Sequence, residues 1–113
     1  MKTLVIEKPW GREDQFTLNE VTTVKILSVN KGGELSLQNH RHRTEFWRII
    51  SGHPVVTVGN VVKNANPDDE FIIGKLQEHR LEAPNDDVKV LEIAFGNFNE
   101  EDIIRIKDKY GRT

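Results

Sequence analysis

Cysteine is missing altogether from the 113 residues. That excludes disulfides and thiolate metal sites, suits a reducing compartment, and leaves His, Glu, Asp and Gln to hold any metal. Charge of one sign is scarce as well. Sixteen Lys and Arg stand against 18 Asp and Glu, a net of -2, so there is no broad basic field to neutralise a nucleic-acid backbone. Long apolar runs are also absent. The opening MKTLVIEKPWG offers only Leu4, Val5 and Ile6 before Glu7, too little for a secretory leader. No later run approaches the roughly 20 residues of a membrane span. The expectation is a cytoplasmic protein with neither nucleic acid nor membrane among its partners. With no internal repeat and no linker, residues 1–113 read as one domain, long enough to bury about two-thirds of the surface of the unfolded chain.

What is present is frequent punctuation between short apolar runs. TTVKILSV is rich in β-branched residues and stops at the turn signal NKGG; ELSLQNHRH, FWRIISG, PVVTVGN, FIIG, HRLEA and VKVLEIAF follow. About seven short strands at such spacing predict an all-β sandwich or barrel. The end differs. In NEEDIIRIKDKYGR, Asn99 can cap a helix, acidic residues crowd its first turn, and Ile103, Ile106 and Tyr110 fall near helical spacing ahead of Gly111. One short C-terminal helix is predicted, lying on the sheet.

The stretch LSLQNHRHRTEFW, Leu35 to Trp47, carries the chemistry. In a strand, Ser36, Gln38, His40 and His42 share one face, and Leu35, Leu37, Asn39 and Arg41 the other. A polar face inside a barrel is costly unless something satisfies it, and a divalent metal would do so. Glu45 can close a third corner, and of the two remaining histidines His79, heading HRLEA, is a better fourth candidate than His53 beside Pro54. Exposed polar alternation or a satisfied core histidine is the competing reading of the same spacing.

HRHRTEFWRIISG also resembles the first motif of the cupin superfamily, with His40, His42, Glu45 and, six residues on, Gly52. Within that superfamily the closest likeness is to the type II phosphomannose isomerase domain, familiar as the C-terminal half of fused mannose-1-phosphate guanylyltransferases. Its run L-S-x-Q-x-H-x-H-R-x-E-x-W is met from Leu35 to Trp47. KPWG, VKILSV, HRLE, LEI and EEDIIRIKDKYGR follow the family's order, so the likeness covers nearly the whole chain. Phe46, Gly74 and Ala83 depart from the pattern beside the ligand candidates, not among them. The resemblance implies a double-stranded β-helix, or jelly-roll barrel, and interconversion of mannose 6-phosphate with fructose 6-phosphate. It also implies a divalent metal, zinc first with manganese, iron, cobalt or nickel as alternatives. Its metal environment carries over to Gln38, His40, His42, Glu45 and His79, with Gln38 the last of these to be counted because five protein ligands would leave little room for substrate.

An aldose–ketose isomerase must move a proton between neighbouring carbons, stabilise the enediolate between them, and hold the phosphate. Glu92, Lys25 and Arg80 are the catalytic candidates; Lys25, Arg43 and Arg105, with Arg80 alongside, are the candidate phosphate clamp. Glu92 alternates with Val88, Val90 and Ala94 on a face that reads as buried, so it has either a cationic partner or a raised pKa. Glu45 or a metal-bound hydroxide could serve as base instead. Lys25 points inward if Leu27 and Val29 do, or reaches out at a strand end. Arg80 is opposite in parity to His79 and could pair with Glu82 or Glu92 instead. A second expectation is a non-catalytic metal- or sugar-binding cupin module working with a separate sugar nucleotidyltransferase. Leu35, Leu37, Phe46 and Trp47 put apolar groups on both faces of successive strands, which predicts a homodimer unless the KPWG segment covers the outside.

Overall fold

The computed structural model describes residues 3–96, 98, 99 and 101–112. The described residues form eleven strands: β1 (Leu4–Lys8), β2 (Gly11–Gln15), β3 (Thr22–Val29), β4 (Leu37–Asn39), β5 (Arg43–Ser51), β6 (Val55–Val58), β7 (Val61–Asn64), β8 (Glu70–Ile73), β9 (His79–Glu82), β10 (Val88–Gly96) and β11 (Ile104–Lys107). Two antiparallel sheets run in the orders β3-β10-β5-β8 and β11-β4-β9-β6-β7, and β1-β2 is a separate hairpin turning at Pro9 and Trp10. This is the all-β double-stranded helix the sequence predicts.

The core follows from strand alternation. β5 and β10 lie side by side and pair over their whole length, with Glu92 opposite Trp47 and Val90 opposite Ile49. Trp47, Ile49, Val88 and Val90 from one sheet meet Val56, Leu81 and Ala83 from the other side of the barrel, and Leu27, Val29 and Leu35 pack around them. Each such side chain contributes about 1.5–3 kcal/mol on burial. The β5–β6 turn depends on Gly52, whose φ is +87° and where a Cβ would stand 2.3 Å from the Asp87 carbonyl oxygen.

The end of the chain departs from the predicted helix. Asn99 accepts the Glu101 N–H on its side chain at 2.9 Å and the Asp102 N–H on its carbonyl at 2.9 Å. That makes one turn, not a helix. The chain then extends as β11 along the outer edge of β4, with Ile104 opposite Asn39 and Arg105 opposite Gln38. The edge of β4 needs hydrogen-bond partners, and three β-branched isoleucines favour an extended backbone, so pairing wins over the helical spacing of Ile103, Ile106 and Tyr110. The outer cover also differs from the expected one: Phe46 lies against Phe16, ring centroids 5.6 Å apart, and Leu35 packs against the core. Among the described residues no helix is long and apolar enough to cross a membrane.

Candidate metal centre

His40, Glu45 and His79 converge between the two sheets, each offering a ligand atom within 4.8 Å of the others. β9 opens on His79, which is fully buried; His40 follows the end of β4; Glu45 comes from β5 across the barrel. One Glu45 carboxylate oxygen, Oε1, lies 3.4 Å from His40 Nε2 and 3.2 Å from His79 Nε2. The two imidazole rings stand 5.1 Å apart, and Trp47 packs edge-on against His79 at 5.6 Å.

The far side of each ring fixes its orientation. His79 Nδ1 lies 2.9 Å from the Gln77 carbonyl oxygen, and His40 Nδ1 lies 2.5 Å from that of Asp102. A carbonyl only accepts, so both Nδ1 atoms carry hydrogen and donate. The Nε2 lone pairs then face inward, the arrangement metal-binding histidines share. His79 Nε2 and both Glu45 oxygens are buried without a well-formed hydrogen bond. A lone pair and a carboxylate at 3.2 Å repel each other unless a proton on the ring or a metal cation lies between them. Two imidazole nitrogens and a carboxylate oxygen therefore fit a divalent metal in residue type, burial and orientation.

Glu92 borders this group. On adjacent strands, Glu45 faces Ala94 and Trp47 faces Glu92, which makes the two carboxylates diagonal neighbours on the interior face. Burial first, then the hydrogen bond and charge of Glu45, raise the Glu92 carboxyl well above the usual range. Burial pushes Glu45 the same way, but the close approach of His40, His79 and Glu92 outweighs it and holds its carboxyl low. Glu92 keeps its proton and Glu45 stays ionised.

Residues 2–108 match the family described as mannose-6-phosphate isomerase C-terminal. The chain belongs to that family. Among curated relatives of this domain, the xanthan biosynthesis protein XanB of Xanthomonas campestris pv. campestris is 36% identical over 110 residues, covering 96% of the chain and 24% of XanB. A mannose-1-phosphate guanylyltransferase of Klebsiella pneumoniae is 40% identical over 109 residues, covering 95% of the chain and 23% of that protein. The chain thus spans about a quarter of the length of the curated relatives it matches. The fold recurs in a solved structure from Klebsiella pneumoniae with a double-stranded β-helix domain, at a TM-score of 0.66 and 21% identity, covering 83% of this chain and 80% of that one.

Around the His40–Glu45–His79 group of this family member, the sequence candidates separate. Lys25 and Arg43 come to it. Lys25 sits on β3 opposite Glu92, on the same face as Leu27 and Val29, and its Nζ lies 4.3 Å from the centre of the Phe98 ring. Arg43 is buried, with Cζ 4.5 Å from the same ring, Nη2 3.2 Å from His40 Nε2 and Nε 3.6 Å from Glu45 Oε2. Gln38 pairs with His79 in the sheet, while its side-chain oxygen accepts the Ser36 hydroxyl at 2.8 Å.

Others do not converge. His42 is exposed and lies outside the His40–Glu45–His79 group. The alternation that put it beside His40 needs a strand through both, and β4 ends at Asn39. Arg80 lies on the opposite parity of β9 from His79 and pairs with Glu82 at 3.2 Å and Glu34 at 3.8 Å. Arg105 stands on β11 instead of a helix, half-buried opposite Gln38. His53 pairs with Asp86 at 2.7 Å, away from the centre.

Sequence reasoning missed Phe98, which lies over Lys25 and Arg43, and Asp102, whose carboxylate accepts the N–H groups of Arg41 and His42 at 2.9 Å each. The first of these bonds, with that from His42, holds the Asp102 carboxyl below its usual range. Asp102 reads in sequence as an ordinary acidic residue of a first helical turn. No spacing rule ties it to a histidine 62 residues earlier.

Proposed function

We propose that the chain is a metal-dependent aldose–ketose isomerase domain that interconverts mannose 6-phosphate and fructose 6-phosphate in the cytoplasm. The observation that carries this reading is the buried His40–Glu45–His79 group with Glu92 a diagonal neighbour of Glu45 on the same interior face. His40, His79 and Glu45 would hold the ion, zinc being the first expectation for nitrogen and oxygen donors and manganese, iron, cobalt or nickel the alternatives. A bound divalent ion supplies Lewis-acid stabilisation of negative charge on sugar oxygens.

The chain's own groups account for the remaining needs. Glu92 holds a proton at its carboxyl in the buried pair, while Lys25 and Arg43 favour its ionised form; after losing that proton to solvent, the carboxylate could take a proton from one sugar carbon and return it to the neighbouring one. Lys25 and Arg43 offer two cations on one side of the centre, where a phosphate would be held. Trp47 and the core beneath it keep water from the inner side of His79.

The test is a coupled isomerase assay on protein stripped of metal and reloaded with single divalent ions, run beside His40→Ala. Turnover restored by one ion and lost in the variant is expected. Tight metal binding with no turnover on mannose 6-phosphate or other aldose phosphates would instead support the binding module acting with a separate sugar nucleotidyltransferase. That second reading is favoured by Phe98, which covers both candidate phosphate cations, and by the relatives named as guanylyltransferases. We also propose pairing with a second copy. β3 is an eight-residue strand at the edge of its sheet, with Val24 and Ile26 exposed, and supports strand-to-strand association. Light scattering reporting a monomer at micromolar concentration would exclude it.

A further inference from the structure

We infer that Asp102 is a positioning residue for the metal centre: it clamps the 40–42 segment and orients His40 so that Nε2 faces Glu45 and His79. This rests on the metal reading above, but the orientation of His40 can be measured without any metal.

Three contacts from one residue converge on three consecutive positions. The Asp102 backbone carbonyl takes the proton of His40 Nδ1 at 2.5 Å. Its carboxylate accepts the N–H of Arg41 through Oδ1 and that of His42 through Oδ2, each at 2.9 Å. The need for a clamp follows from the end of β4 at Asn39, where ladder hydrogen bonds cease and His40 to His42 are irregular. The His40 carbonyl accepts the Leu76 N–H at 2.7 Å, but the N–H groups of Arg41 and His42 still require partners. Asp102 supplies both partners from its side chain, which in turn holds its own carbonyl over His40. The turn made by Asn99, whose carbonyl accepts the Asp102 N–H at 2.9 Å, sets Asp102 at that place.

The orientation matters because imidazole has two nitrogens and only one can carry the hydrogen in the neutral ring. A carbonyl at Nδ1 selects the tautomer with the lone pair at Nε2, and Arg43 Nη2, 3.2 Å away, already donates to that lone pair. His79 obtains the same tautomer from a local source, the Gln77 carbonyl two residues away. His40 depends on a segment distant in sequence. Asp102 touches no metal-facing atom, so its effect passes through His40.

The experiment uses Asp102→Ala and Asp102→Asn in the full chain, with imidazole nitrogen chemical shifts recorded on metal-free protein and Co2+ affinity measured by titration. The wild type is expected to show His40 and His79 both as Nδ1–H tautomers. Asp102→Ala should shift His40 alone toward Nε2–H or a mixture and weaken Co2+ binding by about 10–100-fold, the usual cost of losing an outer partner of a histidine ligand. Asp102→Asn, which keeps one acceptor, should fall between. An unchanged His40 tautomer with Co2+ affinity within about twofold of wild type overturns the proposal, as does an equal change at His79, which would mean general loss of structure. If the wild type binds no Co2+ while His40 still shifts in Asp102→Ala, the positioning role stands and the metal reading fails.

Discussion

Removing His79 should abolish metal-dependent stabilisation of this domain. His79 is fully buried between Trp47 and His40, with its Nε2 3.2 Å from Glu45 and no well-formed hydrogen bond there. An ion bound only by the folded chain at a hundredfold excess over Kd stabilises it by about 2.7 kcal/mol. Unfolding entropy of about 2.1 cal/mol/K per residue gives about 0.24 kcal/mol/K for 113 residues, so that stabilisation raises Tm by about 11 °C. Losing a direct ligand costs at least the roughly hundredfold that loss of an outer partner can cost, which leaves about 0.4 kcal/mol and a shift under about 2 °C at the same ion concentration. The assay is thermal unfolding of stripped wild type and His79→Ala with and without Zn2+, Co2+ or Mn2+, comparing the shift and not the absolute Tm. His53→Ala is the control, because His53 and Asp86 form a separate exposed pair that could bind ions weakly. Equal shifts in wild type and His79→Ala, or no shift in the wild type with any ion, would refute the reasoning.

Glu92→Gln mimics the protonated acid and keeps a donor toward Glu45, so Tm should move by only a few degrees while isomerase turnover falls by about 10²–10⁴-fold; turnover within threefold of wild type would remove Glu92 from the chemistry. Gly52→Ala should cost about 1–3 kcal/mol from left-handed backbone alone, before the crowding against the Asp87 carbonyl, and a urea midpoint unchanged from wild type would contradict the turn geometry. Asp108 is pulled to about 2 by Arg112. A lowered folded-state value means that its stabilising contribution is present above the ordinary 3.8 and is lost as pH falls through about 2. Carboxyl shifts followed by NMR should titrate near that value and move up in Arg112→Ala; an unaltered midpoint in the variant would show that the pair does not persist in solution.

How far the sequence could be read depends on the range of the interaction. Alternation placed Lys25 with Leu27 and Val29, and Glu92 with Val88, Val90 and Ala94, and both faces are interior as that period requires. Phe46 and Trp47 take opposite faces of β5 as expected, but Phe16 covers Phe46, and the large apolar side chains left exposed include Val24 and Ile26 on β3, Val61 and Val62 on β7 and Ile72 on β8. Arg80 shows the same limit. Its parity was readable, whereas the choice of Glu82 over Glu92, and the addition of Glu34, required the sheet.

By itself the sequence determined seven of the strands, β3 to β6 and β8 to β10, the inward faces of β3 and β10, and the residue types able to hold a metal, since a period of two and the absence of cysteine act within a few residues or on the whole composition. Only the tertiary structure decided which of those residues meet. His42 drops out because β4 stops at Asn39, the terminal segment becomes β11 because the edge of β4 takes it as a partner, and His40 receives its orientation from Asp102, 62 residues away. Strand ends, edge pairing and carbonyl contacts at such separation depend on which hydrogen-bonding groups the closed barrel leaves unpaired, and local spacing carries no record of that.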